Sequence, residues 1–163
     1  MELRTARLVL RDFVAEDLEA YRALRSAPGF GQHYPEDDVT PERSRELLAR
    51  FLAEQRAEPR LRYQLAVTLS STGELIGSCG VRLVDVDARE ASFGCELGLE
   101  HWGKGYALEA GRAVLGFGFE ELAVARVYAE TQVVHLAARR LAERLGFVVE
   151  EERDGAVVLS RGP

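Results

Sequence analysis

The stretch between residues 93 and 121 does most to decide what this chain can become. Phe93, Cys95, Leu97 and Leu99 alternate with small and polar residues and run into Trp102-Gly103-Lys104-Gly105; an apolar periodicity of helical spacing follows at once. The alternation predicts a half-buried strand over residues 93–99, and the paired glycines predict a turn whose backbone can approach a ligand closely. A helix over residues 104–121 is expected next, with Tyr106, Ala110, Val114 and Phe117 inward. Strand, glycine turn and helix N-terminus together aim several N–H groups at one point, a geometry that suits a phosphate. Lys104 stands inside that turn, and every other one of the 21 basic side chains is an arginine.

The rest of the chain supplies a sheet and three more helices. Residues 8–11 read as a first strand, and a helix follows near residues 16–25 with Leu18, Tyr21 and Leu24 on one face. A loop over residues 27–39 holds Phe30, His33, Tyr34 and the acidic run Glu36-Asp37-Asp38. Thr40-Pro41 has the chemistry of an N-cap and first helical position, opening a helix that buries Leu47, Leu48, Phe51 and Leu52. Tyr63, Leu65, Val67 and Leu69 alternate as a second strand, residues 75–83 form a third, and residues 126–131 a fifth. A fourth helix over residues 136–145 ends at Gly146, and a hairpin over residues 147–152 and 156–159 turns at Asp154-Gly155. The order β-α-α-β-β-β-α-β-α-β-β predicts one three-layer α/β domain over residues 1–163, with a mixed sheet.

Composition removes several function classes. Hydrophobic residues make up 47% and charged residues 29%, a globular balance, and no window is long and apolar enough for a membrane span. The N-terminus lacks the apolar core of a signal peptide, and two cysteines are too few for a disulfide framework or a four-cysteine zinc site. A cytoplasmic location, no membrane partner and no metal are expected. A net charge of −6 argues against nucleic acid and is compatible with a cationic acceptor such as an amine.

Three local readings of the glycine turn compete. As a dinucleotide fingerprint, Gly103-x-Gly105 lacks its third glycine, since Leu108 stands there. As a P-loop, residues 98–104 fit G-x-x-x-x-G-K, but Gly105 occupies the position of the magnesium-binding hydroxyl. A plain packing turn is the third.

Glu100-His101-Trp102-Gly103-Lys104-Gly105-Tyr106-Ala107-Leu108-Glu109-Ala110 resembles the pyrophosphate-binding segment of the GNAT superfamily of acyl-CoA-dependent N-acetyltransferases. More narrowly it is similar to the W-G-x-G-Y-A-x-E-A of the branch that acetylates ribosomal-protein N-termini (RimJ/RimL-like). Thr5-Ala6-Arg7-Leu8-Val9-Leu10-Arg11 resembles that family's opening, and Gly73-Glu74-Leu75-Ile76-Gly77 the start of its third strand. Ala129-Glu130-Thr131 with Leu145-Gly146-Phe147 resembles its A-E-T…L-G-F segment, so the similarity spans nearly the whole chain.

The resemblance implies a GNAT-type α/β domain (α+β in some schemes). Its sheet would be mostly antiparallel, of about seven strands splayed between the fourth and fifth, with about four helices. It implies acetyl transfer from acetyl-CoA to an amine, either a protein N-terminal α-amine or a small molecule. The pyrophosphate would lie on the amides of Trp102, Gly103, Lys104, Gly105, Tyr106 and Ala107. Pantetheine would run along the fourth strand at Leu97 and Leu99, with the Leu97 N–H as oxyanion donor. Phe30, His33 and Tyr34 would line the acceptor side. Glu96 is the first candidate for a general base and Glu130 the second. His135 and Ala138 replace the family's asparagine and serine, which leaves His135 as a candidate pantetheine contact and proton donor. An acyl-CoA sensor without catalysis and a P-loop-like nucleotide triphosphatase are the alternative functions, and a homodimer stays open.

Overall fold

The period-two patterns of the sequence become strands of one sheet. The computed structural model describes all 163 residues. Its strands are β1 (Glu2–Arg4), β2 (Leu8–Arg11), β3 (Arg62–Leu69), β4 (Leu75–Asp85), β5 (Glu90–Leu97), β6 (Arg126–Gln132), β7 (Val148–Arg153) and β8 (Ala156–Arg161). They lie in the order β1-β2-β3-β4-β5-β6-β8-β7. Eight strands form where about seven are expected, because residues 2–4 pair back onto β2. Every pairing is antiparallel except β5 with β6.

Helices α1 (Leu18–Ser26) and α2 (Pro41–Glu54) cover one face of the sheet, and α3 (Tyr106–Glu120) and α4 (Leu136–Arg144) the other. Alternation along β3 shows the division: Ala66 joins Phe13, Tyr21, Leu48 and Phe51, whereas Leu65 and Val67 pack with Leu108, Val114 and Leu115 of α3. Thr40 caps α2 as expected, its hydroxyl accepting the Arg43 N–H at 3.1 Å, with Pro41 at the first helical position. Gly146 ends α4 at φ +86°, and the β7–β8 turn takes positive φ at both Asp154 and Gly155. No helix is long and apolar enough to cross a membrane.

Two expected boundaries move. The fourth strand of the sequence reading is β5, which ends at Leu97; Leu99 begins a short 3-10 turn, Leu99–His101, and is not a strand residue. Helix α3 begins at Tyr106, because Gly103 and Gly105 both take left-handed φ, at +73° and +82°. Its buried stripe runs through Leu108, Ala110, Gly111, Val114, Leu115 and Gly118, so Ala110 and Val114 point inward as expected and Tyr106 and Phe117 are only half-buried. Gly111 lets α4 approach: a Cβ there would stand 2.8 Å from Leu145 Cδ1.

The β5–β6 pair sets up everything that follows. Its parallel register covers only Glu90–Arg126, Ala91–Val127 and Ser92–Tyr128. Beyond it β5 stays on β4 as far as Leu97, and β6 stays on β8 as far as Gln132. The two strands part.

Gly77 keeps β5 close to β4 at the parted end. It lies opposite Leu97, and a Cβ there would come within 2.1 Å of the Glu96 carbonyl oxygen and 2.9 Å of Leu97 Cα. Gly77→Ala is therefore expected to destabilise the chain by about 3 kcal/mol or more, since rigid backbone blocks the new atom. Gly73→Ala, at φ +75° with nothing within 4 Å, should cost only about 1–2 kcal/mol of left-handed strain. Denaturant unfolding of the two variants checks the difference.

Candidate active site

The glycine turn holds its amides open. His101 N–H bonds Gly98 C=O at 2.9 Å and Trp102 N–H bonds Leu99 C=O at 3.1 Å, so the Trp102 amide is already used. The first helical bond of α3 is Glu109 N–H to Gly105 C=O at 3.0 Å. The unpaired amides are therefore those of Gly103 through Leu108, one residue later than the sequence predicts.

Arg7 braces this loop from the N-terminal segment. Its Nη1 donates to Lys104 C=O at 2.8 Å, its Nε to Glu109 Oε2 at 2.7 Å, and its guanidinium lies 4.5 Å from the Tyr106 ring centroid. Thr5 Oγ1 and the Arg7 amide donate to Glu109 Oε1. Burial alone would raise the Glu109 carboxyl, but these bonds outweigh it and hold it below the usual carboxylate value. The T-x-R opening and the Glu109 of the motif are thus two halves of one brace. Lys104 itself is exposed and makes no ion pair.

Gly98 N–H bonds Ile76 C=O at 2.9 Å. Antiparallel alternation then turns the backbone groups of Leu97 and Cys95 away from β4, into the gap beside β6. The Leu97 carbonyl there accepts the Trp102 indole Nε1–H at 3.0 Å. Trp102 thus enters the site through its side chain, where its backbone was expected. The Leu97 N–H is left facing the gap, while Leu99 lies past the strand end.

Two cavities meet across the gap. One, of about 330 Å³, is lined by Leu97, Trp102, Gly103, Gly105 and Ala107, with Arg140 and Arg144 of α4 on its far wall. The other, of about 510 Å³, opens on the α1–α2 side among Tyr21, Arg25, Asp38, Gln64, Ser78 and Arg82. His33, Tyr34, Cys95, Glu96, His135 and Ala138 line both. Glu130 is exposed and shares only the larger cavity with Glu96, so it is not at the junction of the two. Phe30 is buried and borders only the smaller one.

Glu96 is the most heavily bonded group at the junction. Its carboxylate accepts from Tyr21 Oη at 3.0 Å, from Arg25 Nη1 at 2.8 and 2.7 Å, from Ser78 Oγ at 3.3 Å and from Tyr34 Oη at 3.3 Å. Arg25, only 4% exposed, is boxed by the rings of Tyr21, Phe30 and Tyr34, each within 5.8 Å of its guanidinium carbon. Burial first, and the Glu96 charge second, raise the Tyr21 and Tyr34 phenols well above their ordinary value, so both keep their protons.

His135 occupies the N-cap of α4 as the family's asparagine would. Its Nδ1 accepts the Ala138 N–H at 3.4 Å, and its ring stacks on His33 at 3.8 Å and on Trp102 at 5.9 Å. Burial, then the neighbouring His33, lowers its pKa, which favours the neutral ring that a cap acceptor must be. Three chain segments meet in this stack.

Sequence reasoning missed Arg25, Tyr21, Ser78, Gln64 and Arg82. Tyr21 and Arg25 carry a usable signal, because i,i+4 spacing puts them on one helical face. The sheet residues carry a weaker one: Ser78, Gly80, Arg82 and Ser92, Gly94, Glu96 repeat polar or bare positions where a half-buried strand would otherwise be apolar. The P-loop reading fails on geometry as well as pattern, since its strand, β5, is antiparallel to β4 and its glycine segment folds as a 3-10 turn and an open loop.

The comparisons with known proteins agree with this architecture. The family model described as acetyltransferase (GNAT) domain matches residues 7–148. The uncharacterized N-acetyltransferase YoaA of Bacillus subtilis is 30% identical over 149 residues, covering 91% of this chain and 83% of its own. The uncharacterized N-acetyltransferase p20 of Bacillus licheniformis is 29% identical over 151 residues, with the same coverages. Among solved structures, an acetyltransferase from Agrobacterium tumefaciens superposes with a TM-score of 0.83 at 26% identity, covering 100% of this chain and 95% of that one. With the parted strands, the braced glycine loop and a family match across most of its length, the chain belongs to the GNAT acetyltransferase family.

Proposed function

We propose that this protein transfers an acetyl group from acetyl-CoA to an amine by direct attack. The observation that carries the reading is the junction of the two cavities at Glu96, Tyr34 and His135, through the gap between β5 and β6. The diphosphate binds the amides of Gly103 to Leu108, with the α3 dipole behind them and Lys104, Arg140 and Arg144 adding positive charge. Pantetheine runs beside β5 toward the Leu97 N–H. The amine enters from the larger cavity.

Attack forms the C–N bond, and collapse of the tetrahedral intermediate breaks the C–S bond. The Leu97 N–H stabilises the oxyanion, a donor worth about 3 kcal/mol in comparable sites. A protein α-amine is roughly a tenth unprotonated at pH 7, whereas a lysine amine is almost wholly protonated, so the α-amine needs the least assistance. The W-G-x-G-Y-A-x-E-A resemblance supports such an acceptor. Glu96 takes the proton shed by the attacking nitrogen. Tyr34, bonded to Glu96 at 3.3 Å, gives its own proton to the thiolate and regains one from Glu96. Proton and electron pairs then balance, with amide and free thiol as products. His135 caps α4 and walls the junction with His33; as a neutral ring accepting at Nδ1 it keeps its one proton on Nε2, where it is a hydrogen-bond donor and too weak an acid to protonate the thiolate.

Thiol release from acetyl-CoA in the presence of N-terminal peptides and small amines tests the reaction. Amine-dependent release is expected; binding without release would leave only the sensor, and no calorimetric association with millimolar CoA would end the reading. Glu96→Gln should lower kcat about a hundredfold. Melting curves must accompany it, because the variant leaves Arg25 buried without its counter-charge. Tyr34→Phe should lower kcat about tenfold, a smaller loss because a thiol of pKa ~8.5 leaves readily. In the unmodified protein, kcat should stay level as pH passes the ordinary tyrosine value of about 10, since the raised Tyr34 phenol still holds its proton there. A fall centred at that pH would remove Tyr34 from the mechanism.

A further inference from the structure

Most cations in the wall of the larger cavity are neutralised. Arg25 pairs with Glu96 at 2.7 Å, Arg43 with Asp38 at 3.3 Å, and Arg50 with Glu54 at 3.7 Å. Arg82 has no carboxylate partner. Its Nη1 donates to Gln64 Oε1 at 2.7 Å and its Nε to Ser92 Oγ at 3.1 Å, both neutral acceptors, and Nη2 donates to no protein group. Arg62 draws on the same Glu54, at 3.7 Å, so Arg50, Arg62 and Arg82 have one carboxylate among them. Burial is the main cause that lowers the Arg82 guanidinium below its usual value; Cys79 and Glu54 oppose it, and the charges of Arg62 and Arg50 add to it.

This cation is built into the floor. Arg82, Gln64 and Ser78 share the sheet face that carries Glu96, and hydrogen bonds run from Arg82 to Gln64, from Gln64 Nε2 to Ser78 Oγ at 3.0 Å, and from Ser78 to Glu96. Gly80 and Gly94 make room for these side chains to lie against the sheet. A Cβ at Gly80 would stand 2.4 Å from Gln64 Oε1, and one at Gly94 would stand 2.9 Å from Arg82 Nη2. The guanidinium therefore lies over Gly94. Gly94 and Glu96 are alternate residues of β5, so the unpaired cation sits about 7 Å along the strand from the Glu96 position.

We propose that Arg82 binds a carboxylate of the acceptor, which makes the acceptor an amine bearing an acidic group about 7 Å from the attacking nitrogen. The inference rests on the transferase reading above and narrows it. Two extended residues span that distance, so an N-terminal dipeptide unit fits: its free C-terminal carboxylate, or an acidic side chain at the second position, reaches Arg82 while the α-amine faces Glu96. A single α-amino acid is too short.

Thiol release measured with Ala-Ala, Ala-Ala amide and Ala-Asp amide tests this, with calorimetry of the same peptides on CoA-saturated protein alongside. Ala-Ala, Ala-Asp amide or both should exceed Ala-Ala amide in kcat/KM by about ten- to a hundredfold, and which of them does so identifies the source of the carboxylate. Arg82→Gln should bring the ratio to about one and Arg82→Lys should restore part of it, which a merely structural role would not do. Equal turnover of all three peptides by the unmodified protein overturns the carboxylate site and leaves the transferase standing. If none of the three is turned over, calorimetry decides the carboxylate site alone: tighter binding of the acidic peptides upholds it, and equal or no binding overturns it, while the wider amine panel above decides the transferase reading. The comparison in the unmodified protein needs no variant to fold.

Discussion

Past Ser92 and Tyr128 two neighbouring strands stop bonding to each other, and that loss is the constraint on which the site depends. Backbone donors and acceptors inside a protein are costly to leave unpaired, at about 1–3 kcal/mol each. The chain meets part of the demand itself, by swinging the Trp102 indole onto the Leu97 carbonyl. The rest of the β5 edge stays open, and an extended ligand laid beside it would be bound in the way a strand is added to a sheet edge. Under the transferase reading proposed above, that open edge is what would hold pantetheine, through backbone groups and without a side chain to recognise it. The same parting joins the two faces of the sheet, so that a donor and an acceptor on opposite sides can reach each other.

Keeping the gap open requires rigid walls, and these are polar where a sheet is ordinarily apolar. On the α1–α2 side Glu96 gathers five donated hydrogen bonds, and Arg25, Tyr21 and Tyr34 have little freedom to move once bonded to it. A buried carboxylate and guanidinium are expensive to desolvate, so such a pair adds little net stability, and what it supplies here is fixed position. On the other side the stack of His33, His135 and Trp102 ties the α1–α2 loop, the start of α4 and the glycine turn together. Gly80 and Gly94 complete the arrangement by what they lack, since side chains there would fill the cavity floor.

Much of this was legible in the sequence, and the exceptions share a cause. Helix and strand order follow from periodicity and caps, as at Thr40-Pro41 and Gly146, because these signals are local. The glycine turn could be read for the same reason, although its amides open one residue late once the 3-10 turn consumes that of Trp102. Glu96 could be placed on the face opposite Leu97 from alternation alone. Its partners could not, because Tyr21 and Arg25 of α1, Tyr34 of the following loop and Ser78 of β4 come from three separate segments, and only the register of β4 on β5 and the packing of α1 bring them together. The short β1 escaped notice for want of length, and Leu99 was misplaced because alternation ran on past the residue where pairing stops.

Charge gives the clearest case of a global property hiding a local one. A net charge of −6 suggests a cationic acceptor, yet the acids are spread outward: Glu150, Glu151 and Glu152 lie on the exposed edge strand β7, and Glu36 and Asp37 lie in an exposed turn. Two arginines are carried inward, Arg25 fully and Arg82 in part, and only the first has a carboxylate beside it. In water the field of an exposed carboxylate is screened within about 8–10 Å, whereas a half-buried cation on a sheet floor without a carboxylate partner is screened less and acts more strongly on whatever enters beside it. A ligand in either cavity therefore meets a few unpaired cations, Arg82 on one side and Arg140 and Arg144 on the other, far more than it meets the protein's total charge. Burial and pairing decide which charges a substrate feels, and both are set by the fold.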